Sequence, residues 1–391
     1  MVLLSSTLLG LTLGISGRHI SPESPLEQSR EMVLKWGACL SQARAAGKPT
    51  HWLDTSWAFD QKFEELNGGF EGALAMQTTL LQDQDLATKR ATAATLGALR
   101  QGFTGVPDWH DLQSKELDLA GKYALDSDPE TSRNATACFV ESLGGEIWYR
   151  WDATEPMWRH ALPSAVGSQA RALAELYAFT PVSVTGEVPA LLRLYRSGDA
   201  ITRSLAYAAL GRAQFKEPVE ASKAMLAGAT SGSMKEREAG YRDLETLSVL
   251  LWGRDSAFRS IQPVAEASQE RQSSFFRCWT ISGSSDENPY LGCRRDLLKT
   301  LDSGLGSSST TVRRSSARAL LVVGEQVDYA LGSPTRVHFG TNGNLVKDDA
   351  GEIEVSRVLL RAAEVMGKDD PALSKSCRDM VTAFHRARMI S

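Results

Sequence analysis

The segment that decides the fold is Asp199-Ala-Ile-Thr-Arg-Ser-Leu-Ala-Tyr-Ala-Ala-Leu-Gly211. Its first aspartate can accept hydrogen bonds from the free N–H groups at the start of a helix, and its last glycine allows a left-handed exit. Between them, alanines permit close approach to a neighbouring helix and leucines fill the seam. Such a helix cannot bury its apolar face alone, so the segment predicts one member of a stack of paired helices.

Weaker copies of this order of residues lie on both sides of the segment. They read DLATKRATAATLG at 85–97, DPETSRNATACFVESLG at 128–144, GSQARALAELY at 167–177 and TVRRSSARALLVVG at 311–324. The arginines at positions 90, 133, 171 and 203 are separated by 43, 38 and 32 residues, a spacing typical of helical repeats. Between 211 and 311 only faint copies occur, around Arg242 and Arg277, so the repeat is irregular.

These copies resemble HEAT-type repeats, the helix-hairpin units of α-solenoids, whose second helix carries the pattern Asp-x-x-Val-Arg-x-x-Ala-x-x-x-Leu-Gly. The likeness covers Gln77 to Gly324, with Arg203 and Arg313 in its strongest copies. It implies an all-α fold, an α-solenoid of stacked antiparallel helix pairs. We interpret Arg90, Arg203 and Arg313 as structural residues that bridge the turn of one repeat to the next.

The predicted organisation has four parts. Residues 1–21 form an apolar segment, 22–325 the HEAT-like repeats, 326–353 a hairpin or loop insertion, and 354–391 the C-terminal capping helices. The insertion is predicted from Arg336-Val-His-Phe339, the Asn342-Gly343 pair and Leu345-Val346. An Asn-Gly pair between β-forming residues is the signature of a small β-hairpin.

The apolar run from Val2 to Ile15 is interrupted by serine and threonine and is too short to span a bilayer. We interpret it as a capping helix, which predicts a cytoplasmic protein with no membrane contact. The alternative is that residues 1–16 are a signal peptide of a secreted or periplasmic protein. Gly14 and Ser16 suit a processing site, although no Lys or Arg precedes the apolar stretch.

The overall charge argues against nucleic acid as a partner. The chain of 391 residues carries 43 Lys and Arg against 47 Asp and Glu, a formal net charge of −4. Neutralising phosphates would therefore need a segregated basic face. The five cysteines form no CxxC pair, the six histidines never occur at metal-site spacing, and the familiar catalytic motifs are absent. We expect no cofactor, no metal and no catalytic residue.

The candidate binding site is the aromatic connection at 146–159, EIWYRWDATEPMWR, with the histidine that follows it. Flat apolar rings together with cations are enriched at protein interfaces. The candidate residues are Trp148, Tyr149, Arg150, Trp151, Trp158 and His160. The alternative is that these rings fill a gap between helix pairs, and only their exposure can decide between the two.

A second candidate is a group of arginines that could hold a carboxylate or a phosphate: Arg294, Arg295, Arg313, Arg314 and Arg318. The carboxylates of Asp296 and Asp302 lie close to them in sequence. An ordinary salt-bridged surface is therefore the favoured interpretation.

The leading hypothesis for function is a non-enzymatic scaffold or adaptor that binds a protein or peptide on the concave face and the inter-repeat loops of the solenoid. The alternative is an enzyme, because HEAT-like solenoids include alkyl-base DNA glycosylases and lyases that act through residues of the concave face. A positive concave face that exposes Trp148 or Trp151 would favour the enzyme. The oligomeric state is left open.

Overall fold

The computed structural model describes residues 24–45, 54–100, 109–142, 154–180, 184–252, 289–332, 337–339, 345–347 and 351–390. Within these ranges the regular structure is helical apart from two strands of three residues each. The predicted all-α class is confirmed, and the arrangement of the helices is compatible with an α-solenoid.

The helices of the described ranges are, in chain order, α1 (Pro25–Ala45), α2 (Asp54–Asn67), α3 (Phe70–Leu81), α4 (Leu86–Thr95), α5 (Trp109–Tyr123), α6 (Pro129–Ser142), α7 (Glu155–Ala161), α8 (Gly167–Phe179), α9 (Val188–Ser197), α10 (Ala200–Lys216), α11 (Pro218–Leu226), α12 (Met234–Trp252), α13 (Pro289–Leu305), α14 (Thr310–Gly332), α15 (Glu352–Asp369) and α16 (Pro371–Ile390). Strands β1 (Val337–Phe339) and β2 (Leu345–Lys347) pair antiparallel, with Val337 opposite Lys347.

The repeated aspartates begin helices, as their position in the pattern predicts. The side chains of Asp85, Asp128 and Asp199 accept hydrogen bonds from backbone N–H groups in the first turns of α4, α6 and α10, at 2.9–3.3 Å. Each carboxylate also accepts the hydroxyl of a threonine three residues later, at 2.6–3.1 Å. Each of these caps therefore satisfies donors that the helix leaves free.

The helix pairs pack in two layers. The second helices of successive pairs form one layer, in which α4 packs against α6, α6 against α8, α8 against α10, α12 against α14 and α14 against α16. In the other layer α9 packs against α11, α11 against α13 and α13 against α15. Each helix thus buries its apolar side mainly against helices close to it in sequence, which is the packing expected of stacked repeats.

Small residues set the distance between helices where the backbones come closest. A Cβ atom on Gly37 of α1 would lie 2.4 Å from the carbonyl oxygen of Ala91 in α4. A Cβ atom on Gly240 of α12 would lie 2.3 Å from the backbone of Gly228, in the turn that follows α11. Only glycine fits at either contact, so both helices are seated directly on backbone atoms.

The insertion begins later than the sequence predicts, and the C-terminal helices begin slightly earlier. Helix α14 runs past residue 325 to Gly332, because Val323, Val327 and Leu331 continue its buried stripe. The last two helices begin at Glu352 and Pro371.

The predicted turn residues Asn342 and Gly343 lie outside the described residues, as do the apolar segment 1–21 and Arg277. None of the described helices combines the length and the apolar character needed to cross a bilayer.

Candidate functional site

Most of the aromatic connection lies outside the described residues, namely Trp148, Tyr149, Arg150 and Trp151. His160 lies in the last turn of α7 and is exposed. The participation of these residues in binding stays a prediction.

Trp158 of α7 is fully buried and is therefore not available to a partner. Its ring packs edge-on against Phe139 of α6, with 5.0 Å between the ring centroids. Its indole N–H donates a hydrogen bond of 3.3 Å to the carbonyl oxygen of Gly121 in α5. Trp158 thus fills the space between neighbouring pairs, as the packing interpretation anticipates, and it is removed from the candidate site.

The arginine-rich group is largely a salt-bridged surface. Arg314 lies 3.3 Å from Asp370, and Arg318 of α14 lies 3.5 Å from Glu245 of α12. Arg294 stacks over the ring of Trp252, 5.3 Å from its centroid.

The acidic partners of this group come from other helices and not from Asp296 or Asp302. Asp302 instead binds Arg361 of α15 at 2.7 Å.

The repeat arginines bridge successive repeats at two junctions, as predicted for Arg90 and Arg313. Arg90 donates to Asp128 through Nε at 3.0 Å and Nη2 at 2.6 Å. This hydrogen bonding holds the pKa of Asp128 well below its usual range, against the opposing effect of burial. Arg313 donates to Asp369, the last residue of α15 before the turn to α16, through Nε at 2.9 Å. Such pairs fasten one second helix to the turn that begins the next.

Arg203 behaves differently from Arg90 and Arg313. Within the described part of the chain its guanidinium forms no ion pair. The turn before α12 reads Ser231-Gly232-Ser233, whereas the turn before α6 carries Asp126 and Asp128. Because this turn offers no carboxylate, the repeat arginine of α10 is left exposed.

Ser231 occupies the same place in its turn as Asp126 does in the earlier one. The N–H of Ser233 donates to Ser231 Oγ at 3.2 Å, and the N–H of Asp128 donates to Asp126 Oδ1 at 2.9 Å. Asp126 binds Lys89 of α4 at 2.5 Å. Lys89 and Arg203 each lie four residues after their helix cap, so they are equivalent positions of two repeats.

The layer of second helices opens where this carboxylate is missing. Helices α10 and α12 touch each other less than the other successive second helices do, and a groove of about 720 Å³ lies between them. One face of α10 lines it with Ala200, Arg203, Ser204 and Tyr207. One face of α12 lines it with Ala239, Arg242, Asp243 and Thr246, and the end of α9 adds Tyr195 and Arg196. Both stripes have the spacing of a single helical face.

Contacts between elements hold the walls of the groove in place. Arg196 of α9 donates through Nε to Oδ2 of the buried Asp243 at 2.7 Å, and through Nη2 as well. Together with the seat of Gly240 on the turn after α11, these contacts fix α12 relative to α9 and α11, so the groove exists before any ligand binds.

The groove carries a surplus of positive charge. Asp243 is neutralised by Arg196, which leaves Arg203 and Arg242 as its remaining charges. The side chain of Arg242 is 63% exposed and lies 4.0 Å from Glu238. Burial raises the pKa of Tyr195, and the positive charge of Arg203 opposes this effect.

Two aromatic rings complete the site. Tyr195 and Tyr207 are half-buried, with ring centroids 6.1 Å apart and planes inclined by 33°. Guanidinium groups bind carboxylates in a bidentate manner, and tyrosine rings offer flat apolar area with a polar edge. The arrangement can therefore hold an anionic segment that also carries an apolar side chain.

A second cleft, of about 980 Å³, lies on α2 beside Trp57 and Gly69. Its polar side chains include Asp60 and Glu64, and burial raises the pKa of Glu64. We take the groove between α10 and α12 as the candidate site because it combines exposed arginines with two half-buried tyrosine rings.

No protein-family model matches this sequence, and none of the curated proteins does. Among solved structures, an engineered protein is 16% identical over 93% of this chain and 99% of that chain, with a TM-score of 0.34. A structure of tubulin recruitment and assembly by microtubule polymerases with Tumor Overexpressed Gene domain arrays is 10% identical over 88% of this chain and 83% of that chain, with a TM-score of 0.30.

Proposed function

We propose that this protein is a non-enzymatic binding scaffold, a HEAT-like α-solenoid that holds a protein or peptide partner in the groove between α10 and α12. The observation that carries the proposal is Arg203, a repeat arginine left without an ion pair among the described residues and facing a groove whose walls are already fixed. The residues at the same position of two other repeats, Lys89 and Arg313, are used to close the stack.

A fixed groove favours binding because little order is lost when a partner enters. The rotamers of Arg196 and Asp243 are set by their own ion pair, and α12 is seated on backbone atoms. Binding energy is therefore not spent on assembling the walls. The open groove suits several modest contacts along two helices better than the capture of one small molecule.

The proposal keeps the order of the predicted parts, with two boundaries moved to the observed helix ends. The repeat array that carries the groove runs to Gly332, and the cap begins at Glu352. Residues 146–153 of the aromatic connection and the insertion between Gly332 and Glu352 are proposed as further contact elements, since both depart from the helical pattern of the sequence.

Site-directed photo-crosslinking in the full chain tests this function. A photoreactive amino acid replaces Ser204, which is exposed inside the groove, and in a control it replaces Lys223, which is exposed on α11 in the other layer. In cells of the source organism, we expect a defined crosslinked protein band from position 204 and not from position 223. The band should weaken in the double variant Arg203→Glu/Arg242→Glu.

Equal crosslinking from both positions, or a band that the double variant leaves undiminished, would contradict the proposal. The enzyme alternative is examined with the same purified protein and a duplex that contains alkylated bases. Release of free base, lost in the double variant, would replace the scaffold function by glycosylase activity.

A further inference from the structure

We infer that the occupant of the groove is an acidic, extended polypeptide segment whose carboxylates bind Arg203 and Arg242 and whose apolar side chain packs on Tyr195 and Tyr207. This inference rests on the proposed function and names the chemistry of its partner. It is carried by the charge, the shape and the aromatic lining of the same groove.

The charge of the groove is opposite to that of the chain as a whole. The protein has a formal net charge of −4, so the chain as a whole does not attract an acidic segment. In the groove the only carboxylate among the lining residues, Asp243, is already bound by Arg196. An acidic segment is therefore drawn to this place and gains little by binding elsewhere.

Two exposed arginines stand on opposite walls. Arg203 belongs to the stripe of α10 and Arg242 to the stripe of α12, and both side chains are exposed. A segment lying between the helices can thus be held from both sides by bidentate guanidinium–carboxylate contacts. Anchors on two walls favour an extended chain that carries more than one carboxylate.

The remaining lining residues leave room for such a chain. Ala200, Ser204 and Ala239 are small, so a peptide backbone can approach both helices closely. Beside them, Tyr195 and Tyr207 present two half-buried rings to an apolar side chain of the segment. A nucleic acid of similar length would bring one phosphate per nucleotide, and two arginines are few for that charge.

Fluorescence anisotropy with defined probes tests the inference. The probes are a short fluorescein-labelled peptide of alternating Glu and Ala with a central Phe, the same peptide with Gln in place of Glu, and a single-stranded DNA of equal charge. We expect the Glu peptide to bind the full chain at least about tenfold more tightly than either other probe, because only it offers planar carboxylates to both arginines.

Matched variants locate the effect. Arg203→Glu/Arg242→Glu should weaken binding of the Glu peptide by at least about tenfold. Arg133→Glu/Arg378→Glu changes the net charge equally on two other second helices and should stay within about twofold of the wild type. Arg203→Lys/Arg242→Lys keeps the charge but loses the bidentate geometry, so its affinity should fall between the two. Thermal unfolding of each variant checks that the fold is retained.

Equal affinity for the Glu and Gln peptides, or equal loss in the two charge-reversed variants, would overturn the inference. Tighter binding of the DNA would overturn it in favour of a nucleic acid. If crosslinking from position 204 succeeds while the peptides fail, the scaffold function stands and only the acidic partner is rejected. If crosslinking fails, the proposed function itself is rejected.

Discussion

The junction between α4 and α6 and the junction between α10 and α12 are built from the same repeat but reach opposite results. At the first, Lys89 and Arg90 bind Asp126 and Asp128, and the two helices pack closely. At the second, the turn before α12 consists of serine and glycine, Arg203 forms no ion pair with a described residue, and a groove opens between the helices. The comparison teaches that the acidic residues of a repeat turn decide whether the repeat cation closes the stack or faces a ligand.

The open junction is nevertheless not a loose one. Its helices are fastened from behind, through the ion pair of Arg196 with Asp243 and the seat of Gly240 on Gly228. The closed junction is fastened along the edge where its turns meet, through charged hydrogen bonds to a helix cap. Because α12 is held by α9 and by the turn after α11, the faces of α10 and α12 that line the groove are left open to a partner.

The largest effect is expected from removing the backbone seat of α12. In Gly240→Ala the new Cβ would lie 2.3 Å from backbone atoms of Gly228 and Ala229, which cannot turn away as a side chain can. We expect a loss of about 1–3 kcal/mol in the free energy of unfolding, because the helix must shift. Urea denaturation measures it, and affinity for the Glu peptide should fall because one wall moves.

The control for this change is Gly292→Ala in α13, where a Cβ atom would meet nothing within 4 Å. Alanine there should leave stability unchanged or raise it by up to about 1 kcal/mol, because it favours the helix. A similar loss in both variants would show that the seat of α12 is not special, and the account of how the open junction is held would fail.

A smaller effect is expected from the pH dependence of the closed junction. The hydrogen bond from Arg90 holds the pKa of Asp128 below the unfolded value of about 3.9. Asp128 therefore contributes stability that is fully present above about pH 4 and is lost as the pH falls through the pKa of the folded state. Asp128→Asn keeps a helix cap without the charge, so it should lower stability by about 1 kcal/mol at neutral pH and lose less on acidification.

Urea denaturation between neutral pH and about pH 3 measures this dependence. Asp199→Asn is the matched control, because Asp199 caps α10 chiefly through the backbone of Thr202 and makes no ion pair with a described residue. The pKa of Asp199 is also lowered, but its charge should contribute less stability than that of Asp128, so acidification should remove less. Identical profiles for the two variants would mean that Arg90 adds nothing to the closed junction.

The helices were predictable because their signals are local. The aspartate cap and the Arg, Ala and Leu-Gly that follow it identify α4, α6 and α10 from sequence alone. Where the prediction was too short, as for α14, the missing signal was the continued stripe of Val327 and Leu331 after the glycine that suggested an end.

The groove was not predictable in the same way. Arg203 has the same local sequence pattern as Arg313. Whether such an arginine forms an ion pair depends on whether a turn about one repeat further along carries a carboxylate. The exposure of a ring is likewise decided by tertiary packing, which is why Trp158 could be a candidate and yet be buried. One signal was available and was missed: the stripes Ala-x-x-Arg-Ser-x-x-Tyr and Ala-x-x-Arg-Asp-x-x-Thr at 200–207 and 239–246.

The smallest effect is expected from giving the open junction the carboxylate it lacks. Ser231 has the backbone geometry of Asp126, and Arg203 has the position of Lys89. In Ser231→Asp the new carboxylate should bind Arg203, and a negative charge at the start of α12 is itself favourable. We expect a gain of about 0.5 kcal/mol in the free energy of unfolding. Repulsion from Glu236 offsets part of the gain, because in the wild type the Glu236 carboxylate accepts a hydrogen bond from the Ser231 hydroxyl.

The same substitution should weaken binding of the Glu peptide by about threefold, since a paired arginine must be released before it can hold a ligand. Ser231→Asn is the control, because asparagine has the size of aspartate but no charge. If both variants bind the peptide equally well, the missing carboxylate is not what makes Arg203 available. The difference between the two junctions would then lie in the spacing of α10 and α12, which the backbone seat of Gly240 sets, and not in the composition of the turn.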